Sequence, residues 1–203
     1  MNWKLSLCAL ALASLILSCK DNTAFSAGER RIITESDSLM PVMVMPADSA
    51  ILRASSQDFG PAELSSPLLE TLIVKMLHTV QDPSQDGVGI AAPQVGLSRR
   101  AVCVQRFDKE GEPFEAYLNI RIDSLAGEVR PGPEGCLSVP GMRGTVPRYS
   151  RVVISYVRPG GRAEDRVQES VEGFTAVIFQ HECDHLDGIL YTDKATELFR
   201  EED

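Results

Sequence analysis

The sequence predicts an α+β fold in which short antiparallel sheets surround a central helix. Three observations carry that expectation. Two stretches keep helical spacing, Pro67 to Val80 and the segment around His181-Glu182-Cys183-Asp184-His185. The β-branched runs between them are short and are broken by turn residues at Asp108 to Pro113 and at Pro159-Gly160-Gly161. Strands and helices do not alternate, so no parallel β-α-β array is expected. With 203 residues, 43% apolar and 24% charged, the chain is sized for one domain with a substantial core. A formal charge of −9 argues against a nucleic-acid or anionic-lipid binding surface.

The first residues stand apart from that domain. Lys4 precedes an apolar run from Leu5 to Leu17, short for a membrane span. The run ends in Ile16-Leu17-Ser18-Cys19, which resembles the lipobox of bacterial lipoproteins. Residues 1–18 are therefore expected to be a signal peptide and Cys19 an acylated N-terminus. Residues 19–40 are polar, without a clear period, and read as a flexible tether. The domain proper is expected over 41–203. Apart from Cys8 and Cys19, the cysteines are Cys103, Cys136 and Cys183, an odd set without a disulfide framework.

Within the domain, Val42 to Pro46 and Ile51-Leu52-Arg53 open the ordered part. In the helix from Pro67 to Val80, Leu68, Leu69, Leu72, Ile73, Met76, Leu77 and Val80 share a face, and Asp82-Pro83 ends it. His78 in this helix reads as a surface or packing residue. Gly87-Val88-Gly89-Ile90-Ala91-Ala92-Pro93-Gln94 is a small-residue loop. It is not a dinucleotide fingerprint, because a helix precedes it and Pro93 interrupts what should be a following helix. Glycines there let a ligand approach the backbone closely. Arg100 to Phe107, Phe114 to Ile122, Arg151 to Val157 and Val167 to Val171 read as strands. Gly127 to Gly135 reads as a loop that delivers Glu134-Gly135-Cys136-Leu137-Ser138.

The central helix carries H-E-x-x-H. Histidines four residues apart share one helical face and can close on one metal ion, with Glu182 in reach of a metal-bound water. The apolar run from Phe174 to Phe179 places that face in a core, and Gly188 suits the helix stop. Three histidines are present in all, and none lies downstream to complete the ligand set. Asp184, Asp187, Asp193, Glu197, Glu201, Glu202 and Asp203 are the downstream carboxylates. Cys136, in its glycine-flanked loop, is the alternative third ligand. Two imidazoles and a thiolate suit Zn(II) or Fe(II).

Three stretches together resemble the peptide deformylase family. They are Gly87 to Gln94 (G-φ-G-φ-A-A-x-Q, φ being apolar), Glu134 to Ser138 (E-G-C-φ-S) and His181 to His185 (H-E-x-D-H), with Gln180 before the last and Leu186-Asp187-Gly188 after it. The likeness covers about Met40 to Lys194. It implies a metal-dependent hydrolase that removes the formyl group from N-formylmethionyl peptides. It further implies that Cys136, His181 and His185 hold the metal and that Glu182 is general base and acid. Gln94 and the Leu137 backbone N–H would face the oxyanion. Gly87, Val88, Gly89, Glu134 and Arg143 would line the substrate cleft, with Val88, Leu137, Val177 and Ile178 around the methionine side chain. The family often uses Fe(II); the ligands also permit Zn(II) or Ni(II). A monomer is expected.

Two departures stand out. The family usually has Asn-Pro where this chain has Asn119-Ile120, which is expected to alter a turn. A lipoprotein would sit on the membrane outside the cytoplasm, where the known deformylases work, which leaves its natural substrate open. Two other readings compete: an H-E-x-x-H metallopeptidase, and a non-catalytic lipoprotein that binds formyl-peptides.

Overall fold

The structure is a computed structural model that describes residues 25–85 and 87–201. The expected signal segment, residues 1–18, and Cys19 lie outside these residues. Helices α1 (Ala27–Glu35), α2 (Ser49–Leu52), α3 (Pro61–Leu64) and α4 (Pro67–Val80) come first. Strand β1 (Gly89–Ala91) leads through a 3-10 turn, Ala92–Val95, into β2 (Ala101–Gln105), β3 (Phe114–Gly135), β4 (Met142–Val157) and β5 (Arg166–Glu172). Helix α5 (Gly173–Leu186), a second 3-10 turn at Tyr191–Asp193 and β6 (Glu197–Arg200) follow. The strands form one antiparallel sheet in the order β1-β2-β3-β4-β5, with β6 added to β4.

The expected helix from Pro67 to Val80 is α4, capped by the Ser66 hydroxyl with Pro67 in its first turn. His78 is exposed on it, as expected. Its apolar face packs with Ile90, Val95, Leu97 and Cys103 in one core cluster. A second cluster joins α5, through Ala176, Ile178, Phe179 and Cys183, to Val102, Tyr117, Ile154 and Val171 of the sheet. Arg106, 1% exposed, lies 5.7 Å from the Phe179 ring and donates to Tyr117 Oη at 2.6 Å, which ties α5 to β2 and β3.

Three expectations need correction. Residues 25–39 are not tether. Ser26 and Glu29 form a capping box that starts α1, and Lys75 caps its far end by donating to the carbonyls of Ile33 (2.7 Å) and Ser36 (2.5 Å). Phe25 packs edge-on against Phe59 at 5.9 Å, and Ile33 is fully buried. Burying two such side chains is worth about 3–6 kcal/mol, enough to hold a short helix that is marginal alone.

Second, Gly127 to Gly135 is not a loop but the second half of β3. Pro131 and Pro147 face each other across the β3–β4 ladder, so the two missing N–H donors fall at one rung. Third, Asn119 is at a register shift inside β3 and not in a turn. Its φ is +50°, and its side chain accepts from Phe59 N (2.7 Å) and donates to Phe59 O (2.9 Å), closing a small ring that offsets the backbone cost.

Candidate active site

The site is where α5, the end of β3 and the loop after β1 converge. Helix α5 is buried along most of its length, and the 3.6-residue period turns His181 and His185 to the same side, with ring centroids 5.0 Å apart. It ends at Leu186, and the chain turns away at Gly188, whose φ of +73° and close approach to the Arg53 backbone both exclude a side chain. β3 delivers Cys136 directly after Gly135. One donor atom each from Cys136, His181 and His185 lies within 4.8 Å of the others. Cys136 Sγ is 3.2 Å from His185 Nε2.

Each donor is oriented by a neighbour. His181 Nδ1–H donates to Glu134 Oε2 at 2.8 Å, which turns Nε2 toward the cluster. Arg148 grips Glu134 at 2.7 and 3.0 Å and donates to Asp184 at 2.6 Å. Burial alone would raise the Glu134 carboxyl, but the hydrogen bonds from His181 and Arg148 hold it at about 2, so it is an anion throughout the working pH range. Burial keeps His185 well below the usual histidine range, which leaves its ring neutral and able to ligate. Cys136 Sγ accepts from Ser138 N–H at 3.4 Å and lies 3.6 Å from Gln94 Nε2.

Glu182 is 4% exposed, and burial pushes its carboxyl up to about 7. Its Oε2 has no hydrogen-bond partner among the described residues, nor does His185 Nδ1. A Cβ on Gly89 would run into Glu182 Oε1 and come within 2.9 Å of Ile178 Cγ2. Gly89 therefore does more than line the cleft: its bare Cα makes the room in which the Glu182 carboxylate sits. An unpartnered buried carboxylate oxygen beside three converging N and S donors is the polar deficit expected of a site that takes a bound cation.

The cavity above the cluster has a volume of about 230 Å³ and is lined by Val88, Gly89, Gln94, Leu137, Arg143, Val177 and Ile178 among others. Gln94 Oε1 accepts from Ala91 N–H at 2.9 Å, and Nε2 donates to Ser138 Oγ at 3.2 Å, which fixes the amide at the cavity wall. One expected cleft residue is placed differently. Gly87 is behind the wall, where its open face meets Val80 and Leu137. Glu134 borders the cavity, but its carboxylate is spent on His181 and Arg148.

Sequence reasoning missed Arg148 and Phe174. Arg148 sits twelve residues beyond Cys136 with no spacing signal, and only the β3–β4 pairing carries it to Glu134. Phe174 was read as part of a buried run, yet it is 54% exposed at the cavity rim, with its ring 5.2 Å from Phe107. Asp184, one of the candidate carboxylate ligands, points away to Arg148 and Lys194. Cys183 is buried in packing on the opposite side of the helix.

A mixed antiparallel fold with a Cys/His/His cluster, a buried glutamate and an apolar cleft defines a metal-dependent hydrolase of the H-E-x-x-H kind. The family model for polypeptide deformylase matches residues 40–201. A peptide deformylase of Leptospira biflexa is 37% identical over 167 residues, 77% of this chain and 89% of that protein. One from Symbiobacterium thermophilum is 39% identical over 160 residues, 79% of this chain and 68% of that one. Among solved structures, the class I type b peptide deformylase of Acinetobacter baumannii bound to Met-Ala-Ser aligns with a TM-score of 0.68 at 35% identity, over 77% of this chain and 98% of that chain. The chain belongs to the polypeptide deformylase family, enzymes that use a divalent metal to remove the formyl group from N-formylmethionyl peptides.

Proposed function

We propose that Cys136, His181 and His185 hold Fe(II), that Glu182 moves the proton of the reaction, and that the substrate is a peptide whose formylmethionine fills the apolar cleft. A divalent ion held by this donor set would supply Lewis-acid chemistry, activating a water and polarising the formyl carbonyl; Zn(II) and Ni(II) would serve the same ligands. Glu182 accepts a proton from the attacking water and returns it to the departing amide nitrogen, so that formate and a free amino terminus are released. The Gln94 amide and the Leu137 N–H meet the charge that develops on the formyl oxygen. Val88, Leu137, Val177 and Ile178 enclose the methionine side chain. Glu134 acts through His181 and makes no contact of its own with the substrate. The Met-Ala-Ser held by the Acinetobacter enzyme is what such a cleft would retain after deformylation.

The observation that carries this reading is the position of Glu182: buried, with one oxygen unpartnered, beside three ligand atoms and against a glycine. Metal-loaded protein is expected to deformylate formyl-Met-Ala-Ser and to leave an equally sized internal peptide intact. Cleavage of the internal peptide would support a metallopeptidase, and binding without turnover a non-catalytic protein. One chain supplies every residue of the site, which favours a functional monomer.

The chain is further proposed to be a lipoprotein, anchored through Cys19 outside the inner membrane. The support is Lys4, the run from Leu5 to Leu17 and Ile16-Leu17-Ser18-Cys19. Among the described residues, no helix is long and apolar enough to cross a membrane. Mass spectrometry is expected to find a mature N-terminus at acylated Cys19, and Cys19→Ser to leave the membrane fraction. An unmodified, soluble wild type that begins at Met1 or Met40 would restore a cytoplasmic role.

A further inference from the structure

Most of the cleft carries no mobile charge. Of the ionisable residues that line it, Glu134, Cys136, His181 and Glu182 belong to the metal-ligand cluster and its immediate partners. Arg143 is the exposed one, with 44% of its side chain open to solvent. It lines the cleft and lies across the backbone of Gly135, within 3.0 Å of where a Cβ would be. A free guanidinium there would favour acidic peptides. It is not free: Nε and Nη2 of Arg143 both donate to Glu201 Oε1, at 3.0 and 2.7 Å.

Glu201 is placed for this by the sheet. β6 pairs with the stretch from Met142 to Thr145, and the Glu201 N–H then donates to Gly141 O at 3.1 Å, continuing that pairing beyond β6. The Glu201 backbone is thus placed by contacts that do not depend on the ion pair. The three deformylase motifs do not include this residue.

We propose that Glu201 is a specificity-determining residue: it cancels the charge of Arg143 in the cleft lining, so that peptides with an acidic residue downstream of formylmethionine gain no advantage. This rests on the deformylase reading of the same cleft. The pair is exposed, and such pairs contribute about 0.2–1 kcal/mol, so the expected discrimination is about 1.4- to 5-fold.

The test compares metal-loaded wild type, Glu201→Gln and the Glu201→Gln/Arg143→Gln double variant. Two readouts are taken: the kcat/KM ratio of formyl-Met-Ala-Glu to formyl-Met-Ala-Lys, and the ratio of Kd values for the unformylated Met-Ala-Glu and Met-Ala-Lys. Glu201→Gln is expected to raise the preference for the acidic peptide by about 1.4- to 5-fold in both, an effect lost in the double variant and at about 1 M salt, where screening acts within about 3 Å. Unchanged ratios in Glu201→Gln, or a rise that persists in the double variant, overturn the proposal. Absence of all turnover in wild type would instead count against the deformylase reading, while the binding ratios still decide the role of Glu201.

Discussion

Cys136→Ala is expected to lose the metal and the activity together. The cluster offers three ligand atoms within 4.8 Å, and the described residues bring no fourth histidine, cysteine or carboxylate oxygen into that group. Two imidazoles alone leave a divalent ion under-coordinated, and His185 has no buried partner on Nδ1 to help it compensate. Two neighbouring carboxylates cannot take over: Glu134 is gripped by Arg148 and Asp184 by both Arg148 and Lys194. Elemental analysis of the purified variant, alongside turnover of formyl-Met-Ala-Ser, checks this. Stoichiometric metal in Cys136→Ala would refute the ligand assignment. Thiol chemistry gives an independent readout. Burial pushes the Cys183 thiol up to about 12 and the Cys103 thiol higher still, so neither reacts at pH 8 in the folded chain. Metal-free protein starting after Cys19 should thus present one fast-reacting thiol, and Cys136→Ala none.

How much of this was legible beforehand depends on the range over which each feature is encoded. The helix Pro67–Val80 was readable to the residue, because its apolar face lies within its own span and Asp82-Pro83 stops it directly afterwards. The H-E-x-x-H face was equally local. Residues 25–39 misled because their order comes from outside: Phe25 needs Phe59, Glu29 pairs with Arg99, and the last turn of α1 needs Lys75. A polar window without period cannot show that. Gly127 to Gly135 misled for a related reason. Its glycines and prolines argue against a strand taken alone, and only the facing Pro147 makes Pro131 harmless. Within the site, the shared face of His181 and His185 was readable from type and spacing, whereas Cys136 stood as one alternative until the fold brought its Sγ to them. What fixes them in place was not readable: Arg148 reaches Glu134 through strand register, and Glu134 reaches His181 across 47 residues. Gly89 was read as giving close access to a ligand, whereas the space it leaves is filled by Glu182.

Glu182→Gln should retain the metal and bind Met-Ala-Ser, yet lose most turnover. The amide is nearly isosteric, so the packing against Gly89 and Ile178 survives, but it can no longer accept a proton from water. General acid–base assistance is typically worth about 10²–10⁴-fold, or about 2.7–5.5 kcal/mol of barrier. The effect belongs in kcat, because the side chain contributes to the proton transfers and not to holding the methionine. Gly89→Ala provides the geometric counterpart. The new methyl would occupy the volume of the Glu182 carboxylate, and Ile178 at 2.9 Å blocks a retreat to that side, so the base must move. A displacement of about 1 Å at a reacting group can cost about 10²-fold. Gly89→Ala should therefore lower kcat while leaving metal content intact, with Glu182→Gln/Gly89→Ala little worse than Glu182→Gln alone, since both act on one group. Steady-state kinetics on the three variants, normalised to bound metal, decides it. A Glu182→Gln enzyme within tenfold of wild type, or losses that simply multiply in the double variant, would show that the proton is moved by another group.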